Sequence, residues 1–173
     1  MNIKETLTKE HTKKQTMAIV KYIGDDKKRF AVLLDIFMTS DYRLNQRSAW
    51  PLSYVCIAHP KLIKPHFGKL IKKLNKTGNH DAVIRNILRL LNEIDIPEKY
   101  CAGIFDTCMR YTKNATIPHA LRAFSITLLG KICKTYPELK PEVELVLYEL
   151  KTFPQSPSLT VRIRDTLKVL QKL

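Results

Sequence analysis

The sequence predicts an all-α protein, a right-handed α-solenoid or superhelix of about four antiparallel helix pairs behind an N-terminal capping helix. Three observations carry this. Apolar residues recur at i, i+3, i+4 and i+7 along nearly the whole chain, the period of a helix that buries one face. No run alternates with period two for long, and no Asn-Gly or Asp-Gly hairpin signal occurs, so strands have no support. Arginines that open similar helices, Arg47, Arg85, Arg122 and Arg162, are separated by 38, 37 and 40 residues, the self-similarity of a tandem repeat. The 173 residues are 45% hydrophobic and 27% charged, near globular averages and far from a disordered composition. We read residues 1–173 as a single repeat domain, with 1–24 as the cap and 25–173 as the pairs.

The elements follow in order. Met17, Ile19, Val20 and Ile23 mark the capping helix, which ends at Gly24-Asp25-Asp26. From Lys27 onward, Phe30, Leu33, Leu34, Phe37 and Met38 share a helical face, and Thr39-Ser40-Asp41 opens the next helix. Inside that helix Pro51 removes the amide that would meet Arg47's carbonyl, so a kink is expected. After Pro60, the residues Ile63, Phe67, Leu70 and Leu74 lie on one face of a single helix, with Lys61, Lys69, Lys72 and Lys76 opposite. Val83, Ile84, Ile87, Leu88, Leu91 and Ile94 form a stripe wide enough for two neighbours. Ile104, Phe105, Cys108 and Met109 continue the pattern, as do Leu121, Phe124, Leu128 and Ile132, with turns at Pro97, Asn114, Pro137 and Pro154. The sum is about nine helices of about 12–20 residues. Ser40, Asp41, Asn79, Thr116 and Ser156 are the expected N-caps, and Pro65 and Pro141 suit first turns. Leu88, Leu91, Phe105, Phe124, Leu128 and Leu129 are expected at the centre of the core.

A shared phrase repeats along the chain. The junctions Ile57-Ala58-His59-Pro60-Lys61-Leu62-Ile63-Lys64-Pro65 and Tyr136-Pro137-Glu138-Leu139-Lys140-Pro141 each precede an amphipathic helix. The run Leu121-Arg122-Ala123-Phe124, then Leu128-Leu129-Gly130-Lys131-Ile132, then Pro137, resembles the Val-Arg-x-Ala opening, Leu-Gly-x-Ile close and following proline of the HEAT-repeat family and its armadillo-like relatives. Asp41 to Arg47 and Ser156 to Arg162 are similar to its turn-and-arginine junction. The second unit departs from the pattern, because Asn86 and Ile87 follow Arg85 in place of small residues. The resemblance runs from Lys27 to the end. One helix pair cannot bury its apolar face alone, so neighbours stack and leave a curved outer surface. The arginine series Arg47, Arg85, Arg122 and Arg162 is read as structural, bridging to acceptors in adjacent turns.

Chemistry is sparse. The chain has no H-E-x-x-H, no G-x-S-x-G, no G-x-x-x-x-G-K and no dinucleotide fingerprint. No catalytic residue is proposed, and the reading leans away from an enzyme while leaving an unrecognised reaction open. Cys56, Cys101, Cys108 and Cys133 sit among apolar residues and read as reduced, buried thiols. Cys56 and His59 could share a helical face, but tetrahedral zinc needs two further partners, so no metal and no cofactor is expected. No stretch approaches the ~20 apolar residues of a membrane span, and the polar N-terminus leads us to expect a cytoplasmic protein.

Charge is the informative feature. With 30 Lys+Arg against 16 Asp+Glu the net charge is +14. Between Tyr42 and His80 the basic residues are Arg43, Arg47, Lys61, Lys64, Lys69, Lys72, Lys73 and Lys76, and none is acidic. Setting Arg47 aside as structural, the other seven form a candidate binding stripe for phosphates or an acidic partner. A merely lysine-rich solvated surface is the other reading. Trp50 and Tyr54 are one helical turn apart and could stack on bases, although core packing explains them better. Two functions survive. One is a non-catalytic interaction scaffold for an acidic or peptide-like protein partner. The other is a nucleic-acid-binding module similar to the helical-repeat DNA glycosylases of alkylation repair.

Overall fold

The computed structural model describes residues 1–39 and 41–173. Ser40, one of the expected caps, lies outside the described residues. All regular structure among the described residues is helical: α1 (Ile3–Lys9), α2 (Lys13–Ile23), α3 (Lys27–Thr39), α4 (Tyr42–Ala58), α5 (Pro60–Ile63), α6 (Phe67–Leu74), α7 (Asp81–Glu93), α8 (Glu98–Lys113), α9 (His119–Thr135), α10 (Lys140–Lys151) and α11 (Pro157–Leu170). Two 3-10 turns, Lys64–His66 and Pro137–Leu139, precede α6 and α10. The all-α class is as the periodicity predicts. The helices fall into two compact units, Met1–Asp95 and Ile96–Leu173.

In the first unit α4 is the hub, packing against α1, α2, α3 and α7, while α6 packs on α7. Ile19, Ile23, Phe30, Leu33, Phe37, Leu52, Val55, Phe67, Leu70, Ile87 and Leu91 are buried in this unit. The segment expected to be one capping helix is two. Glu10 is extended, and Thr12 starts α2 by accepting the Gln15 amide at 3.2 Å. The polar run between them has no apolar residue with which to continue the stripe. Pro51 sits inside α4, which continues from Tyr42 to Ala58.

The second unit is built around α9, which packs against α8, α10 and α11. Leu121, Ile126, Leu128, Leu129, Ile132 and Cys133 are buried on it. Gly130 marks a close approach: a Cβ there would lie 2.8 Å from Cγ2 of Thr166 on α11. Of the side chains expected at the core's centre, Leu88, Leu91, Phe105, Leu128 and Leu129 are buried and Phe124 is half-buried.

Side chains from following elements close the helix ends, where backbone carbonyls lack intrahelical partners. Asn45 is fully buried, and its Nδ2 donates to the Phe37 carbonyl at 2.6 Å, while Asn86 Nδ2 donates to Asn45 Oδ1 at 3.4 Å. Arg47 Nη1 donates to the carbonyls of Leu7 and Thr8 at 3.0 and 2.8 Å. Arg122, 3% exposed, donates from Nε and Nη2 to the Thr112 carbonyl at 3.3 and 3.2 Å. A cation at the C-terminal end of a helix also meets the favourable pole of its dipole. Arg85 is half-buried and Arg162 exposed, and no hydrogen bond or ion pair joins either side chain to the described residues.

Expected and observed N-caps differ in part. Asp41 accepts the amides of Arg43 and Leu44 at 2.9 and 3.0 Å. Asn79 instead donates to the carbonyls of Lys73 and Lys76, and His80 caps α7 through Nδ1, which accepts the Ala82 amide at 3.1 Å. Pro118 stands at the N-cap of α9 in place of Thr116, and Ser156 occupies the cap of α11 with its hydroxyl on that of Ser158 and not on a backbone amide.

Candidate functional site

The seven basic residues of the candidate stripe divide by element. Arg43 is exposed in the first turn of α4, and its Nε donates to the Tyr42 hydroxyl at 3.3 Å, a contact that pushes the guanidinium's pKa up. Lys61 is on α5 and Lys64 in the 3-10 turn, both exposed. Lys69, Lys72 and Lys73 are on α6, and Lys76 follows it. One continuous α-helix from Pro60 to Leu74 does not form, because a 3-10 turn at Lys64–His66 interrupts it. Pro65 has no amide to give to the carbonyl of Lys61, and the chain tightens into the 3-10 turn there. Lys61 and Lys64 lie on those shorter elements and are not among the residues that line the cleft of the α6 lysines.

The α6 lysines converge. Lys69, Lys72, Lys73 and Lys76 line a surface cleft of about 670 Å³ together with Met38, Asn75 and Thr77. The apolar face of α6, Phe67, Leu70 and Leu74, is buried, so the remaining positions are driven outward. Lys73 is half-buried, and its Nζ donates to the Met38 carbonyl at 2.8 Å, which ties α6 to the end of α3. Lys69, Lys72 and Lys76 are exposed, and their side chains have no hydrogen bond or ion pair with the described residues. Among the described residues no carboxylate lines the cleft. His66, on the turn before α6, is held below the usual histidine pKa by burial and then by the Lys69 charge.

Two features were not legible in the pattern. Met38 joins the lysines from α3, 31 positions before Lys69. Near the start of α4, the Tyr42 ring stacks on His80 with centroids 4.5 Å apart and planes at 10°. Trp50 and Tyr54 do not meet the lysines. They line a separate cleft with Ser53, Ile57, Arg89 and Glu93, and Trp50 is half-buried with its ring centroid 5.3 Å from that of His11 in an edge-on pair. Arg89 and Glu93 could have been suspected, since they are polar and one turn apart beside the apolar stripe of α7.

The four cysteines are free and buried. Burial pushes the thiols of Cys56 and Cys108 up to about 12 and that of Cys133 up to about 11, so they stay protonated near neutral pH. No group of three or more His, Cys, Asp or Glu side chains among the described residues could hold a metal ion. None of the described helices is long and apolar enough to cross a membrane.

Paired helices, apolar inner faces and a polar outer surface with clefts define a helical-repeat scaffold for interactions. The family model described as the HEAT repeat domain matches residues 3–170, and the chain belongs to that family. No curated protein and no solved structure matches it.

Proposed function

We propose that the chain is a cytoplasmic, non-catalytic binding module that receives an acidic segment of a protein partner in the α6 cleft. The observation carrying this reading is the convergence of Lys69, Lys72, Lys73 and Lys76 on one cleft without a carboxylate. Four like charges at one place repel each other, and a bound anion relieves that repulsion. Met38 adds an adaptable apolar contact suited to a peptide side chain. Nucleic acid offers the same anionic chemistry, but base stacking favours rings among the cations, and Trp50 and Tyr54 line the other cleft.

The test is titration of the full chain with a short peptide of glutamates interspersed with leucine, at two salt concentrations. Binding should weaken with salt, and the triple change Lys69→Glu, Lys72→Glu, Lys76→Glu should lower affinity roughly tenfold or more. The control triple at Lys134, Lys168 and Lys172, all exposed, should have a much smaller effect. An equal loss would mean generic attraction to a +14 chain. If duplex or single-stranded nucleic acid is retained instead, with a log–log salt slope of roughly −3 to −4, the partner is nucleic acid.

A further inference from the structure

The cleft between α4 and α7 is separate from the lysine cleft and has a different chemistry. Trp50, Ser53, Tyr54 and Ile57 stand at i, i+3, i+4 and i+7 on one face of α4, a row about 10 Å long. Arg89 and Glu93 face the same cleft from α7, one turn apart, about 6 Å along the axis. Its volume is about 530 Å³, within the range of small-ligand sites. Ile57 is 51% exposed and Tyr54 half-buried, so an apolar row is left open to solvent. Arg89 is half-buried, and no hydrogen bond or ion pair joins its side chain to the described residues, Glu93 included. The Ser53 hydroxyl already donates to the Ala49 carbonyl at 2.9 Å, which leaves its lone pairs as acceptors.

We propose that this cleft holds the C-terminal residue of a partner polypeptide, its α-carboxylate on Arg89 and a large apolar side chain against Trp50 and Tyr54. A guanidinium fork matches a carboxylate bidentately, and amphipathic rings supply contact area at low entropic cost. Glu93 accepts the backbone amide that the terminal residue still carries. An internal acidic residue spends its side chain on the carboxylate and has none left for the rings of Trp50 and Tyr54. Carboxylate, apolar side chain and amide N–H all branch from one Cα, which lets a single residue meet Arg89, the ring pair and Glu93 together.

Trp50 is the chain's one tryptophan, so its fluorescence reports on this cleft. The full chain is titrated with a short N-acetylated peptide ending in phenylalanine, once as the free acid and once as the C-terminal amide. The free acid should change Trp50 emission saturably, and the amide should bind roughly tenfold or more weakly. Arg89→Gln, checked for unchanged helicity, should remove the preference for the acid. The Lys69→Glu, Lys72→Glu, Lys76→Glu chain should keep it, which separates this inference from the acidic-segment reading. Equal binding of acid and amide to the unaltered chain overturns the proposal. So does a preference that survives Arg89→Gln or vanishes in the triple lysine variant, and so does an emission spectrum that neither peptide moves.

Discussion

Arg122 is a buried cation without an anion, neutralised in part by the carbonyl end of a helix. Burial pushes its pKa down, but an arginine stays charged across the range where proteins fold. Removing it strands the Thr112 carbonyl, so Arg122→Ala should cost about 2–3 kcal/mol in urea unfolding. Arg162→Ala, at an exposed position without a side-chain bond to the described residues, should stay within about 0.5 kcal/mol. Equal costs would show that repeat position, and not local bonding, sets the role of these arginines. His66 gives a pH prediction. Its folded pKa lies below 6.5 because of burial and then Lys69. The unfolded chain therefore takes up the proton first, and this group's contribution to stability falls as pH drops through 6.5 towards the folded value. Lys69→Gln should raise the His66 pKa towards 6.5 in an NMR titration and flatten the loss of melting temperature between about pH 7 and pH 5. An unchanged titration would leave burial as the whole cause.

At the scale of elements, two small residues decide what the helices can do. Pro65 interrupts the α-helix that periodicity alone reads as continuous, and α6 carries most of the lysines of the cleft. Gly130 sets the distance between α9 and α11. A methyl at that position meets Thr166 Cγ2 at 2.8 Å, on a short side chain whose hydroxyl also donates to the Ile126 carbonyl at 3.5 Å. Gly130→Ala should therefore destabilise by about 1–3 kcal/mol through overpacking. Adding Thr166→Ser removes the clashing methyl and should recover part of that cost, a coupling that a double-mutant cycle in denaturant reads directly. Additive effects would mean that the helices separate freely.

For the whole molecule, the family match spans residues 3–170, while the contacts gather into Met1–Asp95 and Ile96–Leu173. Repeat stability is mainly a sum over nearest neighbours. Deleting residues 157–173 removes α11 and uncovers the faces of α9 and α10 that it packs on. Hydrogen exchange of the truncated chain should show protection lost first in α9 and α10, with α3, α4 and α7 keeping theirs. Uniform loss along all helices would contradict nearest-neighbour coupling. The repeat was legible because its spacing is written in the apolar stripes and in the arginines that open the helices, although only Arg47 and Arg122 of that series reach carbonyls of other elements. The division into units was not, since helical periodicity runs on past residue 95 and says nothing of which faces meet.

The sequence by itself determined the all-α class, the helix-pair repeat, the buried apolar stripes and the strong positive charge, because each follows from periodicity and composition. It also named the lysines that line the α6 cleft. Only the tertiary structure decided which of them act together, that Met38 joins them, that Lys73 is tied to α3, and that Trp50 and Tyr54 face Arg89 and Glu93. These are meetings between helices far apart in the chain. A helical period fixes the face on which a residue lies, while packing fixes what that face meets.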